Sequence, residues 1–493
     1  MKKVLLVVLD GYGEAEKSEF NAVTNADTPF INSLRKKYPH SLLQAHGRAV
    51  GEPEDVSGGS EVGHMTMGAG RVVKTMILKI NDDIESGVFQ KNPAFVQEFS
   101  ALAKRGGALH IGGLFSDKRV HADLHHAFAV MKIAKEYGIK RVFFHAFTDG
   151  RDCAINSSFD YLKMFNENVK EIGVGEIASI GGRFYIMDRE NNYARNNLAV
   201  DVFEKLDYDY DTPEQALAES HKNGITDEFI KPVRIKTNEE YTFDKNDLFV
   251  FYNYRADRMK QPVKVLSDRD IMNIITFCDF YKADNVKHLY DEEDVKNGLT
   301  EYICNKGLKV LKVSESTKYA HVTYFFNGGR EEPFENEDRI HIITEKTMDY
   351  AKTPHMRAKE INEETNKALD KQEYAFVLVN FSNPDMIGHT GNYDATVQAL
   401  EFLDKCVKSM VETALKNDYS IIITADHGNS EKMRDEKGNP YTAHTLNPVI
   451  CICIDKQVHN MVEYGGLRDI APTVLELMQM PINPSFEGHS LIK

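Results

Sequence analysis

The sequence contains no tryptophan and only six cysteines among its 493 residues. It has no apolar run near the roughly 18 residues that a membrane helix requires. Basic side chains are also outnumbered, 60 Lys and Arg against 75 Asp and Glu, for a net charge of −15. Each shortage removes a class of function. The acidic balance argues against nucleic acid as the main partner, which wants a basic face, but it leaves room for a locally basic pocket. The cysteines are scattered. Only Cys451 and Cys453 are close, and they alternate with Ile452 in an apolar run, which points to core packing rather than a metal or a disulfide and fits a reducing cytosol. The opening stretch MKKVLLVVLDGYG imitates an export leader. Its apolar run, Val4 to Leu9, is shorter than the roughly 7–15 residues of such leaders, and Asp10 ends it where no small-residue cleavage site follows. We read it as a buried strand of a cytoplasmic protein with no membrane partner.

What is present is a rhythm. Short apolar runs (VLLVVLD, ALHIGG, RVFFHAF, IASIGGR, LFVFYNYR, YAFVLVNF, SIIITADHG) alternate with amphipathic segments. This pattern predicts an α/β protein with mainly parallel sheets. The length predicts two or three domains. The polar stretches Tyr281–Gly298 and Val72–Gly87 are the best boundary candidates.

Open α/β sheets gather ligand groups at the carboxyl ends of their strands. Asp10 follows the first run. Asp385 and His389 follow YAFVLVNF, spaced i, i+4 so that one helical turn could aim both at one ion. Asp426 and His427 follow SIIIT, and His444 lies in YTAHTLNP. Singly, an Asp after a strand is more often a helix cap and a His more often a surface group. Together with Ser60 they are seven oxygen and nitrogen donors, too many for one tetrahedral ion and suited to two divalent ions.

Ser60 lies in VSGGSEVGH, which is not the G-x-S-x-G elbow of serine hydrolases because position 62 is Val. A surface turn is the plain reading of SGGS. Beside a metal set, Ser60 would need no histidine base, since an ion-bound hydroxyl ionises readily, and Gly58 and Gly59 would let a phosphate approach closely.

The motifs SGGSEVGHMTMGAGRVV, HAFTDGRD, NYRADR, SESTKYAHVTYFFNGG, NPDMIGHTGN and TADHGN resemble, in order and over nearly the whole chain, cofactor-independent phosphoglycerate mutases of the alkaline phosphatase superfamily. The resemblance implies an alkaline-phosphatase-like domain made from both chain ends with an inserted α/β transferase domain, and the boundary candidates above place the insert at about residues 78–292, leaving 1–77 and 293–493 for the first. It implies one ion on Asp385, His389 and His444 and a second on Asp10, Ser60, Asp426 and His427, with Ser60 transiently phosphorylated. Mixed carboxylate and imidazole ligands suit Mn²⁺, with Mg²⁺, Co²⁺ and Zn²⁺ open. The chain departs from the family pattern at Gly59, where Asn precedes the serine in most members, and at Tyr12, where Trp is common. EKTMDYAKTPHMRA, residues 345–358, follows it only loosely, although Pro354 and Met356 fit.

In the middle of the chain, arginines recur just beyond apolar runs: Arg151, Arg183, Arg189, Arg255 and Arg258, with His121 and Asp152 nearby in sequence. Solvated pairing with adjacent acids would explain any one of them. As a set they suggest a converging site for carboxylate or phosphate, which guanidinium forks bind bidentately. The resemblance aims them at glycerate and aims Lys318 at the phosphoryl group, with His121 and Asp152 handling protons or glycerate hydroxyls. The implied reaction is interconversion of 3-phosphoglycerate and 2-phosphoglycerate through Ser60, by a monomer that needs no bisphosphoglycerate. A phosphopentomutase or phosphatase of the same superfamily is the alternative enzyme, and a metal-binding structural protein the alternative outside catalysis. The arginines argue against both.

Overall fold

The computed structural model describes residues 2–291, 295–344 and 349–493. The sequence-based boundary at 292/293 and the start of the loosely matching stretch, residues 345–348, lie outside the described residues. The chain divides into two compact units, one of Met1–Thr75 with Asp294–Lys493, the other of Met76–Glu293. The first junction falls two residues before the boundary read from sequence, for a local reason. The backbone N–H and the hydroxyl of Thr75 both donate to the Gly51 carbonyl, at 2.8 and 2.7 Å, tying Thr75 to the first unit. Met76 then opens the helix Met76–Ser86, whose Ile77 and Ile80 are buried in the core of the second unit.

Fifteen strands occur among the described residues. The first unit begins with β1 (Lys3–Leu9) and β2 (His40–Gln44). The second unit holds β3 (Leu109–Phe115), β4 (Val142–Thr148), β5 (Glu176–Gly182), β6 (Val233–Arg234), β7 (Leu248–Phe251), β8 (Asn273–Cys278) and β9 (Val286–Tyr290). The first unit resumes with β10 (Val310–Glu315), β11 (Glu337–Ile342), β12 (Phe376–Phe381), β13 (Tyr419–Thr424), β14 (Val449–Ile454) and β15 (Tyr464–Gly466).

Its sheet runs β11-β10-β12-β1-β13-β14-β2-β15, parallel except at the two pairings of β14. The second sheet runs β6-β5-β4-β3-β7-β8-β9, parallel except at β6. The protein is thus α/β with two mostly parallel sheets. Central parallel strands are covered on both faces, so they read as unbroken apolar runs. Val4 through Leu9 have almost no exposed surface, and burying each such side chain is worth roughly 1.5–3 kcal/mol. Cys451 and Cys453 lie fully buried in β14, packed in the core as their alternation with Ile452 suggests.

Register places the functional ends. β1 lies between β12 and β13, with Leu9 opposite Phe381 and Val8 opposite Thr424. The residues just past these three strands, Asp10, the helix Asn383–Gly388 and Asp426–His427, therefore emerge side by side at one edge of the sheet.

Candidate active site

Ser60 is the first residue of the helix Ser60–Ala69. Gly58 is required before it, because a Cβ there would stand 1.9 Å from the Ala45 carbonyl oxygen. Gly59 is less constrained, since a Cβ would meet only the His444 ring at 3.5 Å, so the departure from Asn at this position leaves the backbone path unforced. The loop delivers Ser60 Oγ to within 3.1 Å of Asp10 Oδ1, 2.9 Å of His427 Nε2 and 2.6 Å of Lys318 Nζ. Lys318 Nζ also reaches Asp10 Oδ1 at 2.7 Å and Asp385 Oδ2 at 2.6 Å. Burial alone would lower the Lys318 pKa, but Asp10, Asp385 and Asp426 outweigh it and raise it above the usual lysine value.

Asp385 and His389 are joined by the last turn of their helix, His389 N–H donating to Asp385 O at 2.9 Å. Their side chains converge with His444: His389 Nε2 and His444 Nε2 lie 3.1 and 3.2 Å from Asp385 Oδ1 and 3.1 Å from each other. Burial would raise the Asp385 pKa, yet Lys318, His389 and His444 hold it well below the usual carboxylate range. Asp426, likewise fully buried, is held low by His427 and His64. His427 would be lowered by burial, but Asp426, Asp10 and Asp385 push it up to about 9.

The donor set fits divalent ions by an observation independent of composition. His389 Nδ1 lies 2.7 Å from the Thr442 carbonyl, His444 Nδ1 2.8 Å from that of Gly58, and His427 Nδ1 3.2 Å from that of Gly428. Each carbonyl is placed to accept the Nδ1 proton, so Nε2 is the atom each ring would turn to an ion once its own proton is displaced, as metal-binding histidines require. Two groups of ligand atoms, Asp385–His389–His444 and Asp10–Asp385–His427, lie close enough to hold an ion. A third contains Asp10, Asp426 and His64, a residue that the sequence reading quoted but did not nominate. Three buried carboxylates here face a single ammonium, an imbalance that cations would relieve.

The second unit carries a separate basic cavity of about 270 Å³, whose lining includes Arg151, Arg183, Arg189 and Arg258. Arg183 is buried, bonded to Asp149 at 2.6 Å and to Asp152. Arg258 donates to the Met187 carbonyl at 3.0 Å. The Nε atoms of Arg183 and Arg258 are buried with no hydrogen-bond partner. Burial first, then Arg183, Arg189 and Arg151, lower the Arg258 pKa, against Asp257, which raises it. Arg255 does not line this cavity. It pairs with Asp257 at 3.6 Å, and Asp257 also lies 3.6 Å from His121. Burial and then Arg183 push His121 down to about 4. Sequence reasoning missed Asp149, which accepts from the Arg151 and Asp152 N–H groups as well as from Arg183, and Arg195, which also lines the cavity.

Comparison with known proteins decides the lineage. Residues 2–482 match the metalloenzyme superfamily. A 2,3-bisphosphoglycerate-independent phosphoglycerate mutase of Bacteroides thetaiotaomicron is 41% identical over the full length of both chains. The chain belongs to this mutase family. A Clostridium botulinum mutase of the same name is 40% identical, covering 100% of this chain and 99% of its own. Among solved structures, Leishmania mexicana phosphoglycerate mutase at low cobalt concentration shares 28% identity with a TM-score of 0.70, over 100% of this chain and 98% of its own. As a family member the chain is an isomerase, and its superfamily and its carboxylate–histidine clusters support divalent-metal binding.

Proposed function

We propose that the protein interconverts 3-phosphoglycerate and 2-phosphoglycerate through phosphorylated Ser60, with no bisphosphoglycerate. Full-length similarity to mutases of that name supports the substrate pair. The observation that carries the mechanism is the convergence of Lys318 Nζ, Asp10 Oδ1 and His427 Nε2 on Ser60 Oγ. Asp385, His389 and His444 would hold one divalent ion, and Asp10, Ser60, Asp426 and His427 a second, with Mn²⁺ the expected metal. Bound there, such ions supply Lewis acidity that favours the serine alkoxide and neutralises phosphoryl charge.

In the forward half-reaction Ser60 Oγ gives up its proton as its bond to phosphorus forms, the ester P–O bond breaks with the oxygen staying on glycerate, and that oxygen takes up one proton in turn, so none is gained or lost overall. Lys318, held as an ammonium, neutralises the transferring oxygens. The positive end of the helix Ser60–Ala69 adds to this. In the return step the other glycerate hydroxyl attacks the phosphoserine and Ser60 regains its proton. The residues 1–75 and 294–493 act as the phosphatase-like unit and the residues between as the transferase unit. There Arg151, Arg183, Arg189, Arg255 and Arg258 bind the glycerate carboxylate, with His121 and Asp152 on its hydroxyls. Metal-loaded protein, given 3-phosphoglycerate alone and followed by ³¹P NMR, is expected to build up the 2-phosphoglycerate signal. Absence of turnover without added bisphosphoglycerate would overturn the proposal.

A further inference from the structure

We infer that His64 and Asn380 are positioning residues that set the two carboxylates beside Ser60, Asp10 and Asp426, for binding a divalent ion. The inference rests on the ligand assignment proposed above. His64 stands one turn after Ser60 on the same helix and is fully buried. Asn380 lies in β12 opposite Val8, two residues before Asp10. Its Nδ2 donates to Asp10 Oδ2 at 2.8 Å and stands 3.1 Å from His64 Nε2. An amide nitrogen carries only donors, so His64 Nε2 is the acceptor and the ring proton sits on Nδ1. Nδ1 in turn bonds the Ser60 carbonyl oxygen at 2.9 Å and stands 3.2 Å from Asp426 Oδ2, a close polar contact outside hydrogen-bond geometry. One chain of contacts therefore links Asp10, Asn380, His64 and Asp426, with a branch to the nucleophile's own backbone. The amide orientation is imposed by its neighbours. Asn380 Oδ1 is buried without a hydrogen-bond partner, an unfavourable state for a buried amide oxygen. Turning it over would set that oxygen against the Asp10 carboxylate and the His64 lone pair. His64 lies within ligand distance of Asp10 and Asp426, but both its nitrogens are committed, one as acceptor and one as donor. It therefore orients the carboxylates and is not itself a ligand.

The test is calorimetric titration of Mn²⁺ into metal-stripped full-length protein, with near-UV circular dichroism as the check on folding. Wild type is expected to take up two ions. His64→Leu is expected to weaken one of the two steps by about 10–100-fold, the range for partners that orient metal ligands. The other step, on Asp385, His389 and His444, should not change. His64→Asn, whose amide nitrogen can replace Nδ1 as donor, should recover most of the loss. Asn380→Leu, which cuts both contacts of the amide, should weaken the same step and decides the matter if His64→Leu does not fold. Two unchanged steps in the folded variants overturn the inference, as does an equal loss in His64→Leu and His64→Asn, which would mean simple packing. A wild type that binds fewer than two ions overturns the two-ion reading itself, and this inference with it.

Discussion

Ser60 Oγ and Lys318 Nζ stand 2.6 Å apart although 258 positions separate them in sequence. The contact places a cation on the atom proposed to carry the phosphoryl group. Ser60→Ala removes that atom and almost no volume, so the fold should persist. Both mutase turnover and hydrolysis of a generic aryl phosphate are expected to vanish. Rapid acid quench with ³²P-labelled substrate should label wild-type protein and leave Ser60→Ala unlabelled. Turnover at the wild-type rate in the variant would remove Ser60 from the mechanism.

Metal removal should destabilise the first unit as well as inactivate it. Asp10, Asp385 and Asp426 share Lys318 as their ammonium partner, and an ion that binds them only in the folded state stabilises that state by mass action. An ion at 100 times its Kd stabilises by about 2.7 kcal/mol. Scanning calorimetry with and without Mn²⁺ should show a higher Tm with the ion. Asp385→Asn should lower the Tm of stripped protein, because it breaks the buried 2.6 Å pair with Lys318, and should also shrink the shift that Mn²⁺ produces.

How much of this was legible in the sequence depends on the kind of order involved. Asp10, Asp385 and Asp426 could be read because central parallel strands announce themselves as apolar runs and because ligand groups follow their carboxyl ends. The strand β2, paired between β14 and β15, could not. HSLLQ at His40–Gln44 is short and half polar, with alternating exposed and buried residues, and no run marks it. Asn380 was hidden inside YAFVLVNF as one polar letter in a buried strand, although a lone amide in such a run is itself a signal that something polar lies opposite. His64 was visible four residues after Ser60, but its neighbours Asn380 and Asp426 are distant in sequence, so its role needed coordinates. The arginines were legible as a set. That Arg183 and Arg258 are buried while Arg255 lies outside their cavity was not.

Acidification should weaken the second unit through its buried histidines, His126 and His121 among them. His126 is buried, its Nε2 bonded to Asn81 Oδ1 at 2.7 Å, and burial pushes it down to about 4. His121 is pushed down to about 4 as well, chiefly by burial. A histidine in the unfolded chain binds its proton near pH 6.5. Between about pH 6.5 and 4 the unfolded state therefore holds protons that the folded state lacks. Stability is then lost as pH falls, by up to about 1.4 kcal/mol per pH unit for each ring. Urea unfolding from pH 6.5 to 4.5 should show the slope, and His126→Phe should flatten it whatever its effect on absolute stability. An unchanged slope in that variant would mean that the ring titrates alike in both states.

The two units should also separate by chemistry. On the proposed mechanism, phosphorylated Ser60 would pass its group to glycerate or to water, the metal donors would serve either outcome, and the arginines would matter only when a carboxylate is to be held. Arg258 gives the sharper test. Its Nε is buried without a partner, and burial together with Arg183, Arg189 and Arg151 lowers its pKa, so an anion is what its surroundings want. Arg258→Ala should cost about 2–4 kcal/mol in mutase kcat/KM, the scale of a lost charge-assisted contact in a water-poor site. Arg255→Ala should cost less, because this side chain is more exposed and already paired with Asp257. Hydrolysis of an aryl phosphate, which offers no carboxylate, should change little in either, so the ratio of hydrolysis to mutase turnover should rise most in Arg258→Ala. In Asp426→Ala both activities should fall together and the ratio should stay near that of wild type. If the ratio moved the same way in all three variants, the arginines would be serving the metal chemistry or the fold, and a glycerate-holding role for residues 76–293 would have to be abandoned.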